Sequence, residues 1–356
     1  MKAVKIDKKN WTAGLEKSRE KYRLIGPVKV PNKDYGEFRE LTGGEGPDMT
    51  LTDTRLSPKA LSFPESEVLF EYTTDEKSED CNIMKRPDRD YSPRAVVGIR
   101  PYDAAAFLLV QKNFENADYR DPYWCDAYNA CTFVGLAVNE PRGTDFSTST
   151  KSGPFDESGL DVLLVDDGGH YIAKVISKKG ENWIKAAGWK LEADSEALSE
   201  RIDQLKEKAE SGITSKINFD KIKTQSIMYL YDADFWEDLA FACINCGTCT
   251  YVCPTCWCFD IQDEVRGKSG KRCKNWDSCM YPLFTQHGSG HNPRPEKYMR
   301  VRQRFMHKLK YFMDKYDDGI MCVGCGRCIR SCPVNIDIRV ACEKMSDYEP
   351  EKAEAS

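Results

Sequence analysis

The sequence predicts an α+β protein in which a mixed α/β domain is followed by a cysteine-rich domain. Two observations support this division. Strand-like and helix-like patterns alternate between residues 91 and 235, and thirteen of the sixteen cysteines lie between Cys243 and Cys342. Strands mixed with helices over such a length are typical of α/β and α+β domains. A chain of 356 residues is also long enough for about two or three domains of roughly 100–200 residues each.

Residues 1–90 are predicted to be an irregular segment that packs on the domain after it. They are polar and interrupted by glycine and proline, as in "LTGGEGPD" and "LSPKALSFPESEVLF". Such residues mark turns and loops rather than regular structure. Only "EVLFEY", residues 67–72, has the pattern of a strand.

Residues 91–235 are predicted to form the mixed α/β domain. "RAVVGIR" predicts a buried strand and "YDAAAFLLVQKNFENA" a helix. "CTFVGLAV" and "LDVLLV" predict further strands, and the turn "DDGG" at 166–169 predicts a hairpin that continues into "YIAKVIS". "DSEALSERIDQLKEKAESG" predicts a helix with Asp194 as N-cap and Gly212 at its end. The chain contains neither G-x-G-x-x-G nor a Walker A sequence, so no nucleotide site is indicated.

Composition narrows the function classes. With 40% apolar residues, 31% charged residues and a net charge of −5, nothing indicates binding to nucleic acid or to a membrane surface. No apolar run approaches the roughly 20 residues of a membrane span. The first twenty residues lack the apolar core and cleavage site of a signal peptide, so a cytoplasmic location is expected. In a reducing compartment, sixteen cysteines indicate metal ligands or catalytic thiols rather than disulfides.

Two cysteine motifs carry the chemistry. "CINCGTCTYVCP" (243–254) and "CVGCGRCIRSCP" (322–333) share the pattern C-x-x-C-x-x-C-x-x-x-C-P. In two-cluster ferredoxins with this pattern, three cysteines hold one 4Fe–4S cluster and the fourth ligates the other cluster. Gly247, Gly324 and Gly326 allow backbone N–H groups to approach the sulfurs. One cluster is therefore predicted to be held by Cys243, Cys246, Cys249 and Cys332, and the second by Cys322, Cys325, Cys328 and Cys253.

Two rival interpretations of the motifs are weaker. A zinc ribbon needs two C-x-x-C pairs about 15–20 residues apart, rather than distant triplets. "CTYVCPTC" (249–256) has the C-x-x-x-C-x-x-C spacing of radical S-adenosylmethionine enzymes, but it overlaps a complete ferredoxin motif and the second copy lacks it.

The interval between the motifs is predicted to be largely helical, which favours an α-helical-ferredoxin-like domain over residues 236–342. "PEKYMRVRQRFMHKLKYFMDKY" (295–316) places Phe305, Leu309, Phe312 and Tyr316 on one helical face. The basic residues of this helix are expected on a solvated face or, alternatively, on a docking surface for an acidic partner. They are Arg300, Arg302, Arg304, Lys308 and Lys310.

The remaining cysteines and histidines have no clear pattern. Cys256, Cys258, Cys273 and Cys279 are interpreted as small buried apolar residues, with a third metal centre as the alternative. Structural roles are expected for Cys81, Cys125, Cys131 and Cys342. His287 and His291 are separated by glycines and predict a tight loop rather than a metal pair. The acidic tail, residues 343–356, is expected to be frayed.

The chain resembles a family of iron–sulfur electron-transfer subunits. "CPTCWCFD", "RCKNWDSC", "GHNPR", "RVRQRFMHK" and "CVGCGRCIRSCPVNIDI" are similar to segments of the iron–sulfur subunit of anaerobic sulfite reductase and of the β subunit of sulfhydrogenases. The resemblance runs from about residue 55 to 342. It implies 4Fe–4S clusters on the eight cysteines named above. It also implies a partner with FAD and a 2Fe–2S cluster that exchanges electrons with NAD(P)H, and a catalytic subunit beyond it.

The sequence departs from this family in the N-terminal half. Members commonly have cysteines where this chain has Tyr102, Val138, Asp145 and Ser147. An N-terminal domain without metal is therefore expected. The chain as a whole is predicted to be an electron-transfer subunit of an anaerobic oxidoreductase, with two 4Fe–4S clusters that relay electrons between a flavin/NAD(P)H- or ferredoxin-linked subunit and a catalytic subunit. The alternatives are a flavin-binding or catalytic subunit in its own right, or a scaffold in which the clusters only hold helices together.

Overall fold

A computed structural model describes residues 2–191 and 196–349. Most of its strands form one mixed sheet of seven, in the order β1-β8-β7-β6-β5-β2-β3, and a second sheet of three has the order β4-β10-β9. The central pairs β2–β5, β5–β6 and β6–β7 are parallel. The strands are β1 (Lys2–Asp7), β2 (Arg23–Lys29), β3 (Gly36–Glu40), β4 (Ser66–Thr73), β5 (Arg94–Ile99), β6 (Cys131–Leu136), β7 (Val162–Asp167), β8 (His170–Val175), β9 (Phe259–Arg266) and β10 (Ser269–Trp276).

Helices cover both faces of the large sheet and also occur in the cysteine-rich part. They are α1 (Lys8–Ser18), α2 (Pro101–Phe114), α3 (Pro122–Asn129), α4 (Lys178–Ala186), α5 (Glu196–Ser211), α6 (Asp220–Thr224), α7 (Ile227–Tyr231), α8 (Phe235–Ala240), α9 (Thr248–Tyr251), α10 (Lys297–Met306), α11 (Phe312–Tyr316), α12 (Arg327–Arg330) and α13 (Ile338–Asp347).

The large sheet is the middle layer of three. Trp11 of α1 and Trp183 of α4 pack on one face, and Phe107 of α2 and Trp124 of α3 pack on the other. Every residue of β6 is buried, as expected for a parallel strand covered by helices on both faces. The predicted strands and the hairpin of β7 and β8 are confirmed. The N-terminal half is thus a mixed α/β layer structure.

The prediction that residues 1–90 are irregular is wrong. They contribute β1, α1, β2 and β3, and β1 and β3 are the two edge strands of the large sheet. The sheet therefore crosses the predicted domain boundary at residue 91. Charged residues alternate with apolar ones in β1, whose Ala3, Val4 and Ile6 are buried. Edge strands carry many charged residues. Their sequences therefore could not be distinguished from the polar loops around them. The expected strand "EVLFEY" is confirmed as part of β4.

The interval between the cysteine motifs is less helical than predicted. It begins with the hairpin of β9 and β10, and β10 pairs with β4 from the N-terminal half. All but the first residue of β9 are exposed, so its charged sequence gives little apolar signal. The helix predicted over 295–316 is present as α10 and α11, joined by a π-helical turn at His307–Tyr311.

The π-helical turn divides the apolar face of this helix between two cores. Phe305 and Leu309 pack in the C-terminal core with Trp236, whereas Phe312 and the half-buried Tyr316 pack with the core of the N-terminal half. A π-turn adds a residue to one helical turn and so rotates the face that follows it.

The last helix extends into the segment expected to be an acidic tail. The tail was expected from residue 343, but α13 continues to Asp347 and buries Met345. Residues 350–356 lie outside the described residues, as does the proposed N-cap Asp194. Within the described residues, the helix expected there, α5, covers Glu196–Ser211 and ends immediately before Gly212.

Candidate iron–sulfur site

The two cysteine motifs adopt matching backbone conformations. In the first motif, Asn245 and Gly247 have positive φ values of 54° and 73°. Gly324 and Gly326 stand at the same two places in the second motif, with φ values of 67° and 69°. A short helix, α9 or α12, follows each loop. Glycine adopts this left-handed conformation freely and asparagine tolerates it, so the third and fifth positions of each motif allow the chain to wind tightly between its cysteines.

The first set of predicted ligands lies around one cavity. Cys243, Cys246 and Cys249 of the first motif line it together with Cys332 of the second, and Cys328 also reaches its wall. The Asn245 N–H donates to the Cys243 sulfur at 3.4 Å, and the Ile336 N–H donates to the Cys332 sulfur at 3.2 Å. The rest of the wall is mainly apolar, with Met280, Val301 and Phe305.

The second set is more deeply enclosed. Cys253 is buried, while Cys322, Cys325 and Cys328 are half-buried. The charge of Cys253 raises the pKa of each of the other three thiols, so the four sulfurs lie near one another. Burial raises the pKa of Cys322 to about 12, although the nearby Lys308 ammonium opposes this. Among the described residues, no three His, Cys, Asp or Glu side chains are close enough to hold a single metal ion. A cluster separates its thiolates by iron and sulfide, so it suits sulfurs that are further apart.

The basic residues of α10 and the π-helical turn are buried, so the expectation of a solvated face is wrong. Arg300, Arg302 and Lys310 donate to backbone carbonyls. Arg304 lies among sulfurs of both motifs: its neighbours include Cys249 and Cys328. The exposed fractions of the five side chains are 3–7%. Buried cations need anionic or carbonyl partners, and helical periodicity alone cannot reveal that these are present.

The cysteine sulfurs around Lys308 and Arg304 favour the charged forms of both side chains. Burial alone would lower the pKa of each, but the charges of the cysteine sulfurs raise it above its ordinary value. The Lys308 Nζ donates to the Thr255 Oγ1 at 2.8 Å. Arg304 lies beside the Cys328 sulfur, while its Nε and Nη2 are buried and have no hydrogen-bond partner in the described part of the chain. Positive charge is thus concentrated where the motifs meet.

Lys59 is a third buried cation near the end of the first motif, and the sequence analysis did not identify it. Its Nζ donates to the carbonyls of Cys253 and Cys256, each at 3.1 Å, and lies 4.2 Å from the centre of the Trp276 ring. Burial lowers the pKa of Lys59, and the Cys256 and Cys253 charges oppose this. It comes from the N-terminal half, nearly two hundred positions away, so no local pattern could have indicated it.

The second motif is bound to the N-terminal half by a buried ion pair network. Arg327, between two of the cysteines, pairs with Asp103 at 2.5 Å and with Asp53 at 2.6 Å. A Cβ on Gly324 would lie 2.5 Å from the Ser147 backbone. One on Gly326 would lie 2.5 Å from the Thr144 carbonyl oxygen. The cysteine loop therefore packs against the α/β layers with no space for a side chain at either glycine.

Comparison with known proteins agrees with this geometry. Residues 242–336 match the model of a 4Fe-4S dicluster domain. Along nearly all of its length the chain is also similar to the sulfhydrogenase 2 subunit beta of Pyrococcus furiosus. The two share 26% identity over 349 residues, which cover 95% of this chain and 96% of the relative. The chain is a homologue of the sulfhydrogenase β subunit. Among the residues that the structure describes, no helix is both long and apolar enough to cross a bilayer.

The four positions at which the chain departs from this family lie beside the dicluster domain. Tyr102 and Val138 pack in one apolar cluster with Val323 and Cys325 of the second motif. Asp145 accepts a hydrogen bond from the Ser147 N–H at 2.7 Å, and Ser147 is the residue against which Gly324 packs. A phenol ring and a valine therefore fill the space next to the second motif.

The four cysteines of the dicluster domain that are not predicted ligands occupy two separate places. Cys256, Cys258 and Cys279 line one cavity of about 290 Å³. Cys273 lies on β10 opposite Val68 of β4 and is buried there. His287 and His291 lie in a tight loop closed by the His287 N–H, which donates to the His291 carbonyl at 2.8 Å. Of the other cysteines, Cys125, Cys131 and Cys342 are buried and Cys81 is half-buried.

Proposed function

We propose that this protein is the electron-transfer subunit of a multi-subunit oxidoreductase and that it holds two 4Fe–4S clusters with crossed ligands. The observation that carries the proposal is the first cavity, in which Cys332 of the second motif faces Cys243, Cys246 and Cys249 of the first. By the same exchange, Cys253 completes the set Cys322, Cys325 and Cys328. The relative carries the name of a sulfhydrogenase subunit, which supports a place within a larger redox complex.

The residues around the clusters suit outer-sphere electron transfer. Single electrons move between clusters without bond formation, so no general acid or nucleophile is required. The protein controls the process through burial, hydrogen bonds to sulfur and local charge. Here the Asn245 and Ile336 N–H groups donate to sulfurs. Arg304 and Lys308 supply positive charge that favours the more negative, reduced state.

The proposed partners follow from the family and from the surface near the first cluster. A flavin- and NAD(P)H-binding subunit, or ferredoxin, would exchange electrons with this chain, and a catalytic subunit would lie at the other end of the relay. Cys246 is exposed, and Phe241 and Ile244 beside it expose 82% and 62% of their surface. Exposed apolar side chains next to a redox centre suit a docking site for a protein partner.

Serine variants test the crossed ligation directly. Anaerobically purified protein is examined by electron paramagnetic resonance after reduction. If the ligands are crossed, Cys332→Ser alters the same signal as Cys246→Ser, and Cys253→Ser alters the same signal as Cys325→Ser. A Cys332→Ser spectrum that matches Cys325→Ser instead would show that each motif holds its own cluster. Co-purification under anaerobic conditions identifies the neighbouring subunits, and flavin bound to the isolated chain would contradict the assignment as a relay subunit.

A further inference from the structure

A second cavity in the dicluster domain is lined by three thiols that the two ferredoxin motifs do not use. Cys256, Cys258 and Cys279 face a space of about 290 Å³. Since one water molecule takes about 30 Å³ in the liquid, this space has room for a group much larger than a single ion.

The hairpin of β9 and β10 brings the three thiols together. Phe259 pairs with Trp276 at the base of the hairpin, and the Asp277 N–H donates to the Cys258 carbonyl at 3.0 Å. The residues just before β9 and just after β10 therefore lie side by side. Cys258 and Cys279 are therefore neighbours in the wall of the cavity. Cys256 lies beside Cys253, a proposed ligand of the second cluster.

The charges around the cavity call for an anionic occupant. Arg304 and Lys308 line its inner wall, and Arg294 lies in the same wall where it is only half-buried. Lys59 lies behind Cys256. The Nε and Nη2 atoms of Arg304 are buried without a hydrogen-bond partner among the described residues. A buried cation without a compensating charge is strongly unfavourable, and the nearest groups that can compensate Arg304 are cysteine thiolates.

We propose that Cys256, Cys258 and Cys279 hold a third iron–sulfur cluster, in which three irons bind thiolates and the fourth faces the cavity. A single metal ion fits less well, because no three such ligands in the described ranges are close enough for one ion. The cluster extends the relay, since the contact between Cys256 and Cys253 places it next to the second cluster. This role in the relay rests on the proposed function, but the site itself does not.

Iron counting on the full chain decides the matter. Protein purified anaerobically is analysed for iron, acid-labile sulfide and Mössbauer spectra. Three clusters give about twelve irons per chain at four per cluster, and the Mössbauer spectrum contains one iron site without a thiolate ligand. The double variant Cys258→Ser/Cys279→Ser retains about eight irons and the paramagnetic signals of the other two clusters. The matched control is Cys273→Ser, a buried cysteine of the same hairpin outside the cavity, which leaves the iron count unchanged.

Two outcomes separate this proposal from the proposed function. Wild-type protein with about eight irons and only thiolate-bound iron sites overturns the third cluster, whether or not the double variant folds. Loss of iron in Cys258→Ser/Cys279→Ser but not in Cys246→Ser or Cys325→Ser would overturn the two ferredoxin-type clusters and leave the third intact.

Discussion

Arg327 holds the second cysteine motif against the α/β layers, and its removal should be among the most damaging single changes outside the cysteines. Its side chain is 2% exposed, and those of Asp103 and Asp53 are 0% and 7% exposed. It also donates from Nε to the Thr54 carbonyl at 3.0 Å. Arg327→Met removes the charge and leaves the Asp103 carboxylate buried without its ion-pair partner, whereas Asp53 keeps its ion pair with Arg330. Breaking a buried ion pair in this way costs about 3–5 kcal/mol.

Urea unfolding followed by circular dichroism under anaerobic conditions measures the effect. The matched control is Arg272→Met, because Arg272 pairs with Asp263 at 2.9 Å on the surface, where both side chains are 38% exposed. An exposed pair contributes about 0–1 kcal/mol. Equal losses of unfolding free energy in the two variants would refute the argument that burial of the Arg327 network gives it its importance.

The pH dependence of the Arg327→Met penalty provides a second check. Burial raises the pKa of Asp103 above its ordinary value, and Arg327 opposes that rise. Without the arginine the folded-state pKa rises further above the unfolded value. At neutral pH the variant bears the free-energy cost of burying the ionised Asp103 carboxylate, and this cost disappears as the carboxyl becomes protonated. The stability difference between wild type and variant should therefore narrow as the pH is lowered.

Three further predictions concern the clusters and their surroundings. Gly326→Ala should reduce the iron content by about one cluster, because the new Cβ would lie 2.5 Å from the Thr144 carbonyl oxygen and φ at this position is 69°. Asn245→Gly is the control: Asn245 already has positive φ, so this variant should keep its iron in the same assay. Arg304→Gln should lower the reduction potential of at least one cluster, by about 120 mV for a charge at ~6 Å and an effective dielectric constant of ~20. A potentiometric titration measures this shift, and no shift beyond that of Arg302→Gln, whose guanidinium lies 3.6 Å from the Tyr231 ring, would contradict it. Phe241→Ser/Ile244→Ser should slow electron exchange with the proposed flavin-containing partner while leaving iron content and potentials unchanged, and an unaltered rate would place the docking site elsewhere.

The sequence predicted the local part of the site and missed the part that depends on distant residues. The spacing of cysteines within each motif sets how the loop winds, so Cys243 to Cys249 and Cys322 to Cys328 could be placed without a structure. The partners Asp53 and Asp103 of Arg327 lie more than two hundred positions earlier. Lys59 is similarly remote from the cysteines that it faces. No pattern within a window of sequence reports such contacts.

The errors in the fold have a common physical origin. Periodicity assumes that charged residues are exposed and apolar residues are buried. Arg304 and Lys308 break this assumption because they are buried beside cysteine sulfurs that favour their charged forms. The opposite error affects the edge strands β1 and β3 and the exposed strand β9. Their charged residues give no apolar pattern, although the backbone pairs regularly with the neighbouring strand.

The proposed crossed ligation and the Arg327 network together imply that the proposed clusters form late in folding. The first cavity is incomplete until Cys332 arrives from the second motif, and the second motif is positioned by Asp53 and Asp103 of the α/β layers. Ligand sites that are absent in the unfolded chain couple metal binding to folding. Each cluster would thus assemble only after the two motifs and the α/β layers have packed together. A substitution of Asp103 should therefore reduce iron retention, although Asp103 is not itself a proposed iron ligand.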